Sequence, residues 1–168
     1  MTVQFTVESI EAVLSLEKGY AIARVAGVMF PQEDIDAYAE LCLDDQWIHT
    51  DPDRVAEEKP MGFEKTIVHG MFIAARAVGA LSSAIDGGGF AAVHKSAKIN
   101  FAKPVLVGSA VTYVCNVKQV RGVGGDSAVM LQVDVEAYLV DGSPEKVTST
   151  TVGLLIGPPD AVTASDDD

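Results

Sequence analysis

The chain has 168 residues, the size of one domain, and 48% of them are apolar against 21% charged, a balance that excludes disordered and collagen-like chains. Twelve Lys and Arg against 24 Asp and Glu give a net charge of −12, whose field repels nucleic acid and anionic lipid surfaces. Met1 to Leu14 has no cationic residue ahead of its apolar positions and no small-residue cleavage pattern, and no apolar run is long enough to span a bilayer, so the chain reads as cytoplasmic.

In chain order, Gly19 to Phe30 is rich in Ala, Val and Ile and ends at Pro31, which predicts a strand entering a turn. Gln32 to Leu43 follows as a helix. Its apolar stripe is Ile35, Tyr38, Ala39 and Cys42, with Glu33, Asp34 and Asp36 near the start, where carboxylates suit the helix dipole. Residues 43–52 read as a loop or helix end. Asp51-Pro52 opens a short helix through Glu58, because Asp accepts from free backbone N–H groups and Pro fits the first helical position. Gly70 to Ile85 is apolar on nearly every face, which predicts a buried central helix, and Gly87-Gly88-Gly89 breaks it.

Beyond residue 90 the apolar period changes to two, with Ala97, Ile99 and Phe101, then Val111 to Val117, Val129 to Val135, and Val147 to Ile156. That is four long strands. Gly108, Gly122 to Gly125 and Asp141-Gly142 mark turns, so neighbouring strands should run antiparallel. The predicted class is α+β, with one domain over residues 1–157 and a disordered acidic tail over residues 158–168. A single sheet around one helix leaves an edge and apolar surface, which predicts a homodimer or higher homo-oligomer. Cys42 and Cys115 stand 73 positions apart and read as buried thiols, with no disulfide framework or metal site.

Two stretches carry chemistry. In Leu43-Asp44-Asp45-Gln46-Trp47-Ile48-His49 a carboxylate and an imidazole could hold one water between them, one taking a proton as the other gives one. By spacing alone the pair also reads as a helix cap and a packed imidazole. Asp45 is the neighbouring rival for the carboxylate, and Trp47 either narrows a pocket or packs. In Ile67-Val68-His69-Gly70-Met71 a glycine opens the central helix, where a side-chain-free residue lets a carbonyl oxygen approach a backbone N–H; close packing is the other reading. His69 reads as structural.

These stretches, in this order, resemble the MaoC-like family, whose pattern includes an Asp, four residues, a His, then Asp-Pro, and later an apolar-His-Gly. Asp45-Gln46-Trp47-Ile48-His49, followed by Asp51-Pro52-Asp53-Arg54-Val55, looks like the branch named for nodulation protein N. The resemblance covers roughly residues 10 to 156, including Asn100 to Val105 and Val107-Gly108-Ser109. It implies a hot-dog fold, an antiparallel sheet wrapped around a central apolar helix, and a hydro-lyase of the (R)-specific enoyl-CoA hydratase type. The four-residue gap to His49 makes Asp44 its catalytic partner. Gly70 matches the glycine whose N–H polarises the thioester carbonyl. An acyl-CoA or acyl-carrier thioester would be the substrate, and no metal or other cofactor is implied. This chain departs from common hydratases at Leu43 and at Gln46-Trp47, where Gly and Asn-Pro are usual. A hot-dog thioesterase and a non-catalytic acyl-thioester-binding subunit share the fold and ligand.

Charge patterning fits a polyanionic ligand. Between Asp86 and Asp126 there is no carboxylate, while Lys95, Lys98, Lys103, Lys118 and Arg121 give +5. Of these, Lys95, Lys98, Lys103 and Arg121 are candidates for the phosphates of coenzyme A, the alternative being a solvated strand face.

Overall fold

The computed structural model describes residues 5–140 and 144–163. A short strand β1 (Phe5–Thr6) and a helix α1 (Ile10–Leu14) precede strand β2 (Ala21–Met29). Three helices follow: α2 (Gln32–Cys42), α3 (Trp47–Thr50) and α4 (Pro52–Glu58), the last running into a 3-10 turn at Pro60–Gly62. The central helix α5 (Gly70–Ala84) passes directly into strand β3 (Ile85–Asp86), which pairs in parallel with β1. Four long strands and a terminal helix complete the chain: β4 (Ala91–Phe101), β5 (Ala110–Val123), β6 (Ala128–Leu139), β7 (Glu145–Gly157) and α6 (Pro159–Thr163).

The main sheet has the order β2-β5-β6-β7-β4, antiparallel throughout. Strands β5 to β7 form a meander, and β4, although it precedes them, lies on the far side of β7. Helix α5 crosses one face of this sheet, against β2, β5, β6 and β7. This is the hot-dog arrangement expected from the sequence. Period-two patterning explains it: Val129, Leu131, Val133, Val135 and Ala137 of β6 are all buried on the helix side, where Ile73, Ala77 and Leu81 meet them in one core. The Tyr113 hydroxyl donates to the Ile73 carbonyl at 3.1 Å, so even the polar tip of this buried ring is satisfied.

Several boundaries follow elementary rules. Asp51 Oδ1 accepts from the Arg54 N–H at 3.0 Å, the expected cap of α4. Helix α2 ends where Leu43 turns left-handed, φ 59°, and the N–H groups of Leu43 and Asp44 both return to the Ala39 carbonyl. The turn predicted at Asp141-Gly142 lies outside the described residues.

Other expectations are corrected. Residues 43–52, read as a loop or helix end, hold one helical turn of their own, α3, which carries His49. Helix α5 is not buried all round, because it packs on the sheet by one side and leaves Met71, Ala75, Arg76 and Gly79 exposed. Strand β4 is exposed along almost its whole length, Ala97 and Phe101 included, because it is an edge and no layer covers it. Cys42 is exposed at the last turn of α2, while Cys115 is buried and free, its thiol pushed up to about 11 by burial. The tail is ordered past residue 157: Pro159 opens α6, and Val162 is buried against Ala128 and Leu155. The acidic end, residues 164–168, lies outside the described residues.

Leu43 generates a stability prediction. A non-glycine residue in the left-handed region costs about 1–2 kcal/mol, against roughly 0.5–1 kcal/mol for the extra unfolded-state freedom of glycine. The Leu43 side chain is 89% exposed, so no packing is lost on its removal. Leu43→Gly should therefore raise the urea midpoint, with a gain of up to about 1 kcal/mol and an unchanged slope.

Candidate active site

The site forms where the segment leading into α5 passes beneath α2 and α3. Residues 66–68 run as an extended rung beside residues 105–107: the Val68 N–H donates to the Val105 carbonyl at 2.8 Å and the Val107 N–H to the Thr66 carbonyl at 2.9 Å. The other side of this rung meets α3, where the Ile67 N–H donates to the Ile48 carbonyl. Below the rung, α5 begins at Gly70, whose N–H belongs to the first turn and has no partner within the helix.

His49 is held at three points. Its Nδ1 lies 2.7 Å from the Ile67 carbonyl oxygen, which can only accept, so Nδ1 carries the proton and Nε2 presents a bare lone pair. Its backbone carbonyl accepts from Gln32 Nε2 at 2.7 Å, and Gln32 is itself oriented by the buried Thr66 hydroxyl, which donates to Gln32 Oε1 at 2.5 Å. Its ring stacks on that of His69, with centroids 3.8 Å apart and planes 24° apart. Burial pushes the His49 imidazole below its ordinary range, and the neighbouring His69 acts the same way. The Ile67 hydrogen bond and the charge of Asp44 oppose this.

Asp44 follows the left-handed turn at Leu43, and its side chain is 42% exposed. One side-chain ligand atom each of Asp44, His49 and His69 lies within 4.8 Å of the others. A single water at about 2.8 Å from two such atoms fits that span. A shared cation fits less well, because an ion must lie in the plane of each imidazole that binds it and these two rings are stacked nearly face to face.

The three side chains open on a cavity of about 620 Å³, whose wall also includes Gly70, Phe101 and Lys103. The ring of Phe101 lies over Gly70 so closely that a Cβ there would fall 2.9 Å from its carbons, so any side chain at this position would have to displace the half-exposed ring. Thr148, also in the wall, has a buried hydroxyl without a hydrogen-bond partner among the described residues. Tyr38 lies behind the site, stacked on Phe72 at 4.6 Å and 13°. It also lines a second cavity of about 660 Å³, bounded by Val28, Phe72, Arg76 and Gly79. Burial raises the Tyr38 phenol above its usual value, with Cys42 and Asp44 acting in the same direction.

Asp44, His49, Gly70 and Lys103 thus converge on one cavity. The remaining basic candidates do not. Lys95 and Lys98 are farther along β4, and Lys118, engaged by Asp134 at 3.0 Å, is neutralised. Arg121 pairs in register with Met130 and so with Leu155, seven residues from Thr148 along β7, roughly 23 Å away. Arg121 is therefore removed from the set of phosphate contacts within this chain. Trp47 packs under Arg54, whose guanidinium carbon lies 4.2 Å from the ring centroid, and it does not line the cavity. Asp45 is exposed and likewise outside the wall. The support given by Gln32, Thr66 and Ile67 left no sequence signal, since it depends on elements 17 to 34 positions apart.

Residues 6–138 match the MaoC-like domain family. A 3-hydroxyacyl-thioester dehydratase Z of Mycobacterium tuberculosis is 31% identical over 137 residues, 78% of this chain and 87% of that protein. A mitochondrial 3-hydroxyacyl-[acyl-carrier-protein] dehydratase of Arabidopsis thaliana is 34% identical over 83 residues, 49% of this chain, which spans 46% of that longer relative. Among solved structures, an (R)-hydratase of A. caviae involved in PHA biosynthesis superposes with a TM-score of 0.64 at 26% identity, covering 86% of this chain and 98% of the other. With a hot-dog fold, Asp44 and His49 lining one cavity and a family match over most of its length, the chain belongs to the MaoC-like dehydratase family.

Proposed function

We propose that the protein is an enoyl-thioester hydratase, a hydro-lyase that adds water to a trans-2-enoyl thioester, or removes it in reverse, with Asp44 and His49 as the acid–base pair. The observation that carries this is that a ring nitrogen of His49 and a carboxylate oxygen of Asp44 lie within 4.8 Å of each other in the wall of a largely apolar cavity, with His49 Nδ1 engaged by Ile67. The water oxygen bonds to C3 as His49 Nε2 takes one of its protons, and the imidazolium so formed, stabilised by the Asp44 carboxylate, passes that proton to C2 as the C2=C3 π bond is consumed. Negative charge passes through the thioester carbonyl oxygen, for which the Gly70 N–H at the start of α5 is the donor. The relatives named above, two dehydratases and an (R)-hydratase, support the reaction class and suggest (R) stereochemistry at C3.

The phosphate-bearing half of the substrate, coenzyme A or a carrier-protein arm, meets Lys103 at the cavity wall, once the lysine releases its partner Glu145. Lys98 and Lys95 extend this basic edge along β4. The uncovered edge of β4 and the exposed Phe101 and Val93 on it are the surface on which a second copy of the chain would pair. None of these steps draws on a metal or redox group; the thioester is substrate.

The test uses purified protein with crotonyl-CoA and longer trans-2-enoyl-CoAs, recording loss of enoyl absorbance and release of free thiol in parallel. Absorbance should fall without thiol, and Asp44→Asn and His49→Ala should each reduce the rate by about 10²–10⁴-fold while the fold is retained. Thiol release alone would make the protein a thioesterase. Saturable binding without turnover, unchanged by Asp44→Asn, would make it an acyl-thioester-binding subunit.

The pH profile is a separate prediction. His49 must be neutral to accept a proton, and its burial keeps it neutral to lower pH than the ordinary value of 6.5. The acid limb of kcat/KM should accordingly fall below pH 6.5, and a limb above that value would mean that another group is the base.

A further inference from the structure

His69 is an odd residue for its position. It is the N-cap of α5, a place where Ser, Thr, Asp or Asn would tie down a free N–H, yet its side chain makes no cap bond. It is 3% exposed, and its Nδ1 is buried with no hydrogen-bond partner among the described residues. A residue present only to pack would be apolar, and one present to cap would be shorter. The chain gives up a helix cap and leaves a ring nitrogen unsatisfied at one position, and such local violations concentrate where function demands them.

The contacts His69 does make are all to the reacting pair and its surroundings. Its Nε2 lies 2.9 Å from the backbone carbonyl oxygen of Asp44, so Nε2–H donates there, and the same nitrogen is 4.0 Å from the Asp44 carboxylate. Its face covers the ring of His49 at 3.8 Å. Its own ring is backed by Tyr38 at 5.3 Å. The Ile67 hydrogen bond fixes one atom of the His49 ring and by itself leaves the ring free to swing about that bond; a stacked partner removes the swing.

We propose that His69 is the positioning residue of the site: its ring sets the orientation of the His49 imidazole and its Nε2–H sets the Asp44 main chain. One buried side chain thereby determines the separation of the two groups that share the water. The idea rests on the Asp44/His49 assignment above and adds a residue that need not touch substrate. The ionisable groups facing His69 and His49 are Asp44 from the turn after α2, Tyr38 and Cys42 from α2 itself, and Lys103 from the segment after β4.

Two substitutions separate the two contacts. His69→Phe keeps a ring against His49 and loses the N–H; His69→Gln keeps an N–H at the position of Nε2 and loses the ring. With crotonyl-CoA, His69→Phe should lower kcat about 10–100-fold with KM changed less than about threefold, the scale of a misplaced catalytic group. His69→Gln, which keeps the N–H but frees the His49 ring to swing, should lower kcat by a similar factor. In both variants the acid limb of kcat/KM should move to higher pH, because the imidazole of His69 is one of the groups holding His49 low.

The titration of His49 followed by its ring-proton NMR signal reads the same shift without turnover, so the proposal remains testable if no enoyl-CoA is hydrated. A shifted curve in an inactive protein would support the positioning role while removing the hydratase reading. An unchanged kcat in either variant, or a loss of kcat that leaves the His49 titration in place, would overturn the proposal. The second result would make His69 a packing residue.

Discussion

Burial of α5 against the sheet is the constraint from which the site follows. The helix must bring Ile73, Ala77 and Leu81 to the inner faces of β5, β6 and β7, and in doing so its first turn is brought to the edge of the core beside Val105. Gly70 is then pressed under Phe101, His69 is enclosed, and the rung of residues 66–68 is held between α3 and the segment after β4. Asp44, His49 and Gly70 are thus attached to a packed layer, although the residues themselves come from short helices and turns. Attachment of this kind holds side-chain geometry more closely than a free loop can.

Electrostatics within the site oppose the charge of the whole molecule. The net charge is −12, and a histidine in an acidic protein would ordinarily find its charged form favoured. At His49 burial and a second imidazole prevail over the Asp44 carboxylate and the Ile67 carbonyl, because desolvation acts at contact range while distant surface carboxylates are screened by solvent and salt. The tautomer is settled just as locally, by one carbonyl oxygen at 2.7 Å. Overall acidity therefore says little about the protonation of His49, and the two need to be argued separately.

Much of the fold was legible in the sequence because its long elements have clean periods. The alternation in β6 and along much of β5, and the apolar run of α5, reflect a buried face, while the unbroken apolar end of β7 is buried on both faces. That Asp44 and His49 share one cavity was foreshadowed by the family resemblance of two stretches in register. What escaped was short or conditional. Strands β1 and β3 have two residues each, α3 is a single turn, and α6 is anchored by one buried valine, so none carries a period to detect. Exposure of Cys42, of β4 and of one face of α5 is set by which surfaces another layer reaches, which apolarity alone does not encode. The basic residues looked like one cluster because they are neighbours in sequence, yet an antiparallel sheet carries Arg121 far from Lys103.

Tyr38 belongs to two cavities at once, with the Asp44/His49 groups on one side and Phe72, Arg76 and Gly79 on the other. A partition shared in this way makes the two spaces a zero-sum pair, since any change in the ring that enlarges one is taken from the other or merges them. A change in the volume open to a ligand need not begin at Asp44 or His49. It can proceed by trimming a wall, one aromatic carbon at a time, while those two side chains stay where they are.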